Sequence, residues 1–278
     1  MHSDTMITGY IDAPPRSSVI DAAIVVTVVV VLSLALLMPG FQAISTRAVL
    51  AGLLALAIIR GAVYAVHIAL LALLWLLLVS LVPLLQVWPL SIFVPLAAYG
   101  VVASIFPRLR HSVGWIHKGD IRWEIFKLMI VTVVVAILAL LGWVILAKPD
   151  IEHYLSQVPP LPLWAYPFAG VGFAIFNAAM EEAIFRGIFL EALDSAIGTN
   201  YWSVCIQAIP FAALHYLAGF PNGVPGFFMV LVYGLMLGAI RRLSGGMLAP
   251  FVTHVAADIT IFTILAFSLI QHPGGNTA

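Results

Sequence analysis

After a polar, proline-containing start, the chain reads as long apolar runs cut by short polar breaks. Several runs reach or exceed the roughly 17 to 25 residues that a helix needs to cross a bilayer, and none shows the strict alternation of a barrel strand. The candidate spans are 19–38, 43–59, 61–82, 89–106, 125–146, 163–193, 201–217, 224–240 and 247–270. That predicts an all-α polytopic transmembrane bundle of eight or nine spans. The second span is the doubtful one, because Arg47 interrupts it and Arg60 with Gly61 would have to turn a very tight hairpin into the third.

The polar breaks organise the chain. Residues 1–18 form a polar N-terminal tail and 271–278 a C-terminal one, and the first apolar run is expected to be a retained span with no convincing cleavage site behind it. Spans between 19 and 147 carry few polar residues in their interiors. The stretch 148–162, with Asp150, Glu152 and four prolines, is an acidic, helix-breaking loop that divides them from the set at 163–270. Arg108, Arg110, Lys118, Arg122 and Lys127 cluster in and beside the connection 107–124, and Arg241 with Arg242 end the penultimate span, so both places are expected to face the cytoplasm of a cell membrane. Trp115, Ile116 and Trp123 let that connection lie flat at the interface; a solvated basic loop fits the same pattern.

Composition agrees with the periodicity. The chain is 63% hydrophobic and 9% charged, with a mean hydropathy of +1.12, against roughly half apolar and a quarter charged in soluble domains. Twelve basic residues balance twelve acidic ones, which gives no electrostatic reason to expect nucleic acid as a partner. The single cysteine, Cys205, excludes an internal disulfide and any CxxC motif.

Against that background the charges in the C-terminal spans need an account. A charge at a helix centre costs at least about 2.5 to 3.5 kcal/mol on insertion scales, so it persists where it faces a protein interior or a wet cavity. The stretch AAMEEAIFRGIF, 178–189, places Glu181, Glu182 and Arg186 in an otherwise apolar helix. Glu182 and Arg186 stand four apart, the spacing of an intrahelical ion pair, which leaves Glu181 available as a general base. Asn177, one turn before Glu181, is placed to hold it by a hydrogen bond. An ion-pair network that only locks two helices together accounts for the same trio.

The next span carries PFAALHYL, with Phe211 four residues before His215, and the last carries THVAAD, with His254 four before Asp258. At about 1.5 Å per residue from the connection 195–200, Glu181 lies roughly 20 Å and His215 roughly 22 Å along their helices. Counted from Gly246, His254 and Asp258 lie roughly 12 and 18 Å from the same side, depths compatible with one site. His67, a lone histidine in the third span, reads as a satisfied packing residue. Gly234 and Gly238 form a GxxxG pair suited to close helix packing.

In this order EEAIFR, FAALH and HVAAD resemble the EExxxR, FxxxH and HxxxN or HxxxD motifs of the CPBP family, the CAAX protease and bacteriocin-processing (Abi) membrane proteins, over about 164–270. The resemblance implies an intramembrane glutamic endopeptidase, similar to the type II CAAX prenyl endopeptidases, with the catalytic site among the C-terminal four helices. It implies that Glu181 and His215 activate a water for attack on a peptide carbonyl, that Glu182 and Arg186 hold the site together, and that His254 with Asp258 serves the oxyanion. No cofactor or metal is implied; the partners are a membrane-associated protein or peptide substrate, lipidated or not, and the bilayer. Asp258 stands where the prenyl endopeptidases have Asn. An ionised carboxylate would repel an oxyanion, so Asp258 either carries a proton or acts indirectly by orienting His254.

Two other classes use similar residues. Two histidines and a carboxylate can bind zinc, although HExxH is absent. A transporter or non-catalytic scaffold could hold the same cluster as a proton or ion site, although inverted repeats and broken helices are not evident.

Overall fold

A computed structural model describes residues 17–38, 44–217 and 219–271. Apart from 17, 18 and 271, the expected tails lie outside the described residues. Every candidate span contains a helix: α1 Val19–Leu37, α2 Ile44–Arg60, α3 Val63–Leu81, α4 Leu90–Ile105, α6 Trp123–Gly142, α8 Tyr166–Glu182, α10 Tyr201–Leu217, α11 Gly223–Ser244 and α12 Leu248–Gln271. Between them lie α5 Pro107–Ser112, α7 Glu152–Leu155 and α9 Leu190–Ile197. No strand occurs among the described residues. Six helical stretches are long and apolar enough to cross a membrane: Val19–Leu37, Val63–Leu81, Trp123–Ala147, Leu163–Ile197, Gly223–Ser244 and Leu248–Ile270. The remaining candidates α2, α4 and α10 have 17, 16 and 17 residues.

The tight hairpin that made α2 doubtful is present. Arg60 ends α2 and Gly61 follows with φ of 68°, a left-handed conformation that glycine adopts without a Cβ penalty. Ser18 caps α1, its hydroxyl accepting from the Asp21 amide, and the Arg60 guanidinium donates to Asp21 at 2.6 Å and to Ser18 at 2.9 Å. The polar residues that break the apolar pattern here therefore fasten the start of α1 to the end of α2.

The two halves of the chain interlock. α1 packs along α9 and α10, while the most extensive pairings join α10 with α11 and α8 with α12. The α10–α11 seam is close because Gly234 and Gly238 face it: a Cβ on Gly238 would meet Val204 Cγ1 at 2.5 Å, and one on Gly234 would meet the Phe211 ring at 3.0 Å. The GxxxG pair thus admits the ring of a residue singled out by the FxxxH spacing.

The basic connection is tied down by backbone hydrogen bonds. The Asp120 amide donates to Ser244 O, while the Met247 and Leu248 amides donate to His117 O and Lys118 O. The Gly114 amide reaches Glu191 Oε1 at 2.9 Å, and His117 also bonds Gly245 O. Trp115 packs inward on the main core, while Ile116 and Trp123 are 70% and 62% exposed. The connection and the α11–α12 turn therefore share one end of the bundle.

His67 is buried between two hydroxyls, Tyr99 at 2.6 Å from Nδ1 and Ser112 at 2.8 Å from Nε2. Because the Ser112 hydroxyl donates to Leu109 O, it accepts from Nε2–H, and Tyr99 donates to Nδ1. Both ring nitrogens are satisfied, as a packing role requires.

At the end bearing the basic connection, Arg242 of α11 grips Asp194 of α9 through two contacts of 2.6 Å, and its Nη2 donates to Ser203 at 2.7 Å. Breaking a buried pair of this kind costs about 3–5 kcal/mol, because the surviving charge loses its partner. Asp194→Ala is expected to lower the apparent Tm in detergent by on the order of 6–10 °C. A Tm within about 1 °C of wild type, read by thermal unfolding, would show that the pair contributes nothing.

Candidate active site

The carboxylates sit where α8 changes its winding. The helix runs regularly to Glu182 and then opens into a π-helical turn, Ala183–Phe189, before α9 resumes. Such wider turns recur at functional sites. Glu181, Glu182 and Arg186 are 4%, 1% and 0% exposed, so none of them points at lipid.

Arg186 Nη1 meets Glu182 Oε1 at 3.0 Å. The guanidinium also lies over the Phe211 ring, 4.2 Å from its centroid, and Nη2 donates to Gly234 O at 3.4 Å. One cation from α8 is thus held by an acid on its own helix, an aromatic face from α10 and a carbonyl from α11.

His254 of α12 is the meeting point. Its Nδ1 lies 2.8 Å from Glu182 Oε1, and its Nε2 lies 3.4 Å from Glu181 Oε2 and 3.6 Å from Asp258 Oδ1. A carboxylate oxygen therefore stands before each ring nitrogen, which fixes the plane of the imidazole and joins α8 to α12. Asn177 sits beside Glu181 as expected and sends its amide to Asp258 Oδ2 at 3.1 Å.

His215 stands apart from Glu181 in its polar contacts. Its Nδ1–H donates to Phe211 O at 3.0 Å, and the Phe211 ring makes T-shaped contacts with both histidines, at 5.0 Å from His215 and 6.0 Å from His254. With Nδ1–H bonded to Phe211 O, the neutral form of the ring presents Nε2 as an acceptor. Among the described residues, the charged contact of Glu181 runs to His254.

A cleft of about 50 Å³ opens against this cluster, with His215, His254 and Asp258 supplying its polar wall. Its apolar walls come from α6, the turn at Phe220 and Pro221, α11 and α12, with Ala136, Met229 and Ile261 among them. Glu181 does not itself line the cleft; its Oε2 lies 3.4 Å from Nε2 of His254, which does. The Oε2 atoms of Glu181 and Glu182 are buried and without a hydrogen-bond donor among the described residues. Leaving such acceptors unmade is costly unless a donor arrives with water or substrate.

The seven motif residues and Asn177 are all buried in this one region. Two further members carried no motif. Tyr233 lines the cleft edge-on to His254 at 5.6 Å; its only sequence signal is a polar aromatic beside Gly234. Trp88, from the α3–α4 connection, donates its indole N–H to Asn177 Oδ1 at 3.0 Å. Outside the membrane spans, Tyr154 of α7 donates to Gly219 O at 2.6 Å, and burial pushes its hydroxyl up to about 12. No set of three His, Cys, Asp or Glu residues among the described residues is arranged to hold a metal ion.

Residues 162–260 match the family described as type II CAAX prenyl endopeptidase Rce1-like, which is consistent with a CPBP-family protease and covers all three motifs. No curated protein and no solved structure matches the chain.

The Arg186 environment yields a stability prediction. Arg186→Ala removes the guanidinium paired with Glu182, leaving that buried carboxylate the His254 contact alone, and is expected to cost about 3–5 kcal/mol. Adding Glu182→Gln should recover part of the lost apparent Tm, because the carboxylate deprived of its guanidinium is then neutral. If Arg186→Ala unfolds at the wild-type temperature, the pair does not hold the site together.

Proposed function

Taking the Rce1-like match as premise, we propose that this chain is an intramembrane glutamic endopeptidase of the cell membrane that hydrolyses a peptide bond in a membrane-associated protein or peptide. The observation that carries the reading is a buried glutamate, Glu181, whose Oε2 makes no hydrogen bond and lies 3.4 Å from His254, a histidine that lines a cleft with His215 and Asp258. The cleft volume exceeds the roughly 10–15 Å³ that one water requires.

In this reading a water entering from the cleft stands between His215 Nε2 and Glu181, and it gives its proton to Glu181 as its oxygen attacks the carbonyl carbon. The tetrahedral intermediate then collapses as the proton passes to the leaving amine. His254 faces the developing oxyanion, and Glu182, clamped by Arg186, holds the imidazole in place. Asp258 acts through His254: the Asn177 amide occupies Oδ2, and Oδ1 is the atom turned toward the ring. The bundle supplies eight or nine crossings, with the connection 107–124 and Arg241 and Arg242 on the cytoplasmic side.

The test is cleavage of membrane-tethered reporter peptides, prenylated and unprenylated, by the purified chain in lipid nanodiscs. Wild type should turn over at least one, whereas Glu181→Gln and His215→Ala should each lose roughly 100-fold or more in rate while keeping the wild-type apparent Tm. Undiminished cleavage by Glu181→Gln would sink the glutamic mechanism. Activity lost on chelation and restored by zinc would establish a metalloprotease, and no turnover of any peptide would leave a scaffold or transporter.

A further inference from the structure

Trp88 stands 74 positions before the segment matched to the protease family (162 − 88), yet its side chain reaches the candidate site. The indole is held by its ring against Phe173 of α8 at 5.0 Å, and Phe173 in turn packs on Phe262 of α12 at 5.9 Å. Its N–H donates to Asn177 Oδ1 at 3.0 Å.

That contact has a directional consequence. An indole nitrogen donates and never accepts, so it selects the carbonyl end of the Asn177 amide and turns the NH₂ end the other way. The NH₂ end meets Asp258 Oδ2 at 3.1 Å. This oxygen is thereby committed as an acceptor, and the group left to face His254, at 3.6 Å, is Oδ1. Without the indole, the amide could rotate by half a turn and present its own carbonyl to Asp258.

We propose that Trp88 is a positioning residue of the site: its N–H sets the orientation of Asn177, which in turn sets the rotamer and hydrogen-bonding role of Asp258 beside His254. The N-terminal spans thus contribute to the site from outside the matched segment. The inference rests on the hydrolytic reading only for its effect on rate; the hydrogen-bond chain stands on the distances.

Trp88→Phe keeps an aromatic ring against Phe173 and removes the donor. With the reporter peptide that wild type cleaves best, kcat should fall roughly 10-fold, the equivalent of about 1.4 kcal/mol, with KM unchanged and the apparent Tm near wild type. Asn177→Ala should give a similar loss, and the double variant should be no slower than the slower single, since both act through Asp258. Multiplying losses, or wild-type kcat in Trp88→Phe, would overturn the proposal. A second readout is independent of turnover: the infrared carboxyl band identified by its disappearance in Asp258→Asn should shift in Trp88→Phe as it does in Asn177→Ala. An unshifted band would overturn the proposal even if wild type cleaves nothing, and a shifted band with an inactive wild type would confine the failure to the protease reading.

Discussion

The imidazole of His254, fixed between acidic side chains on both of its nitrogens, is the interaction on which the arrangement depends. It comes from α12, whereas Glu181 and Glu182 come from α8. A ring that meets both therefore sets the spacing and rotation of two helices. The rest of the cluster supports it in layers. Arg186 neutralises Glu182, Phe211 supports the guanidinium, Gly234 makes room for Phe211, and Asn177 steadies Asp258.

Much of this was legible in the sequence because the membrane imposes simple rules. Apolar run length located a helix at each of the nine candidate spans, and a carboxylate four residues before an arginine inside such a run had few partners but each other. The i, i+4 spacings of Phe211 with His215 and His254 with Asp258 fixed which residues share a helix face. The GxxxG pair correctly marked a close seam, although what the seam accommodates, the Phe211 ring, was not readable from two glycines.

What stayed hidden has physical reasons. Spacing fixes a face and leaves the rotamer open, so nothing in the motifs told that Glu181 turns to His254 while His215 ties its Nδ1 to its own helix. The π turn at 183–189 is a change of backbone winding with no apolar period of its own. The stitching of 117–120 to 244–248 uses mainly backbone amides and carbonyls, which every residue possesses. Trp88 meets Asn177 across 89 positions, and a lone tryptophan at a span boundary reads as an interfacial anchor.

Glu181 and His215, which share no hydrogen bond or ion pair among the described residues, are proposed to act on one water. The most direct test is a double-mutant cycle on single-turnover rates with Glu181→Gln, His215→Ala and the combined variant, followed long enough to resolve residual cleavage. Groups that serve one proton transfer act as a unit, so the combined variant is predicted to be no slower than the slower single variant. Losses that multiply across the two sites would show two independent roles and contradict the shared water.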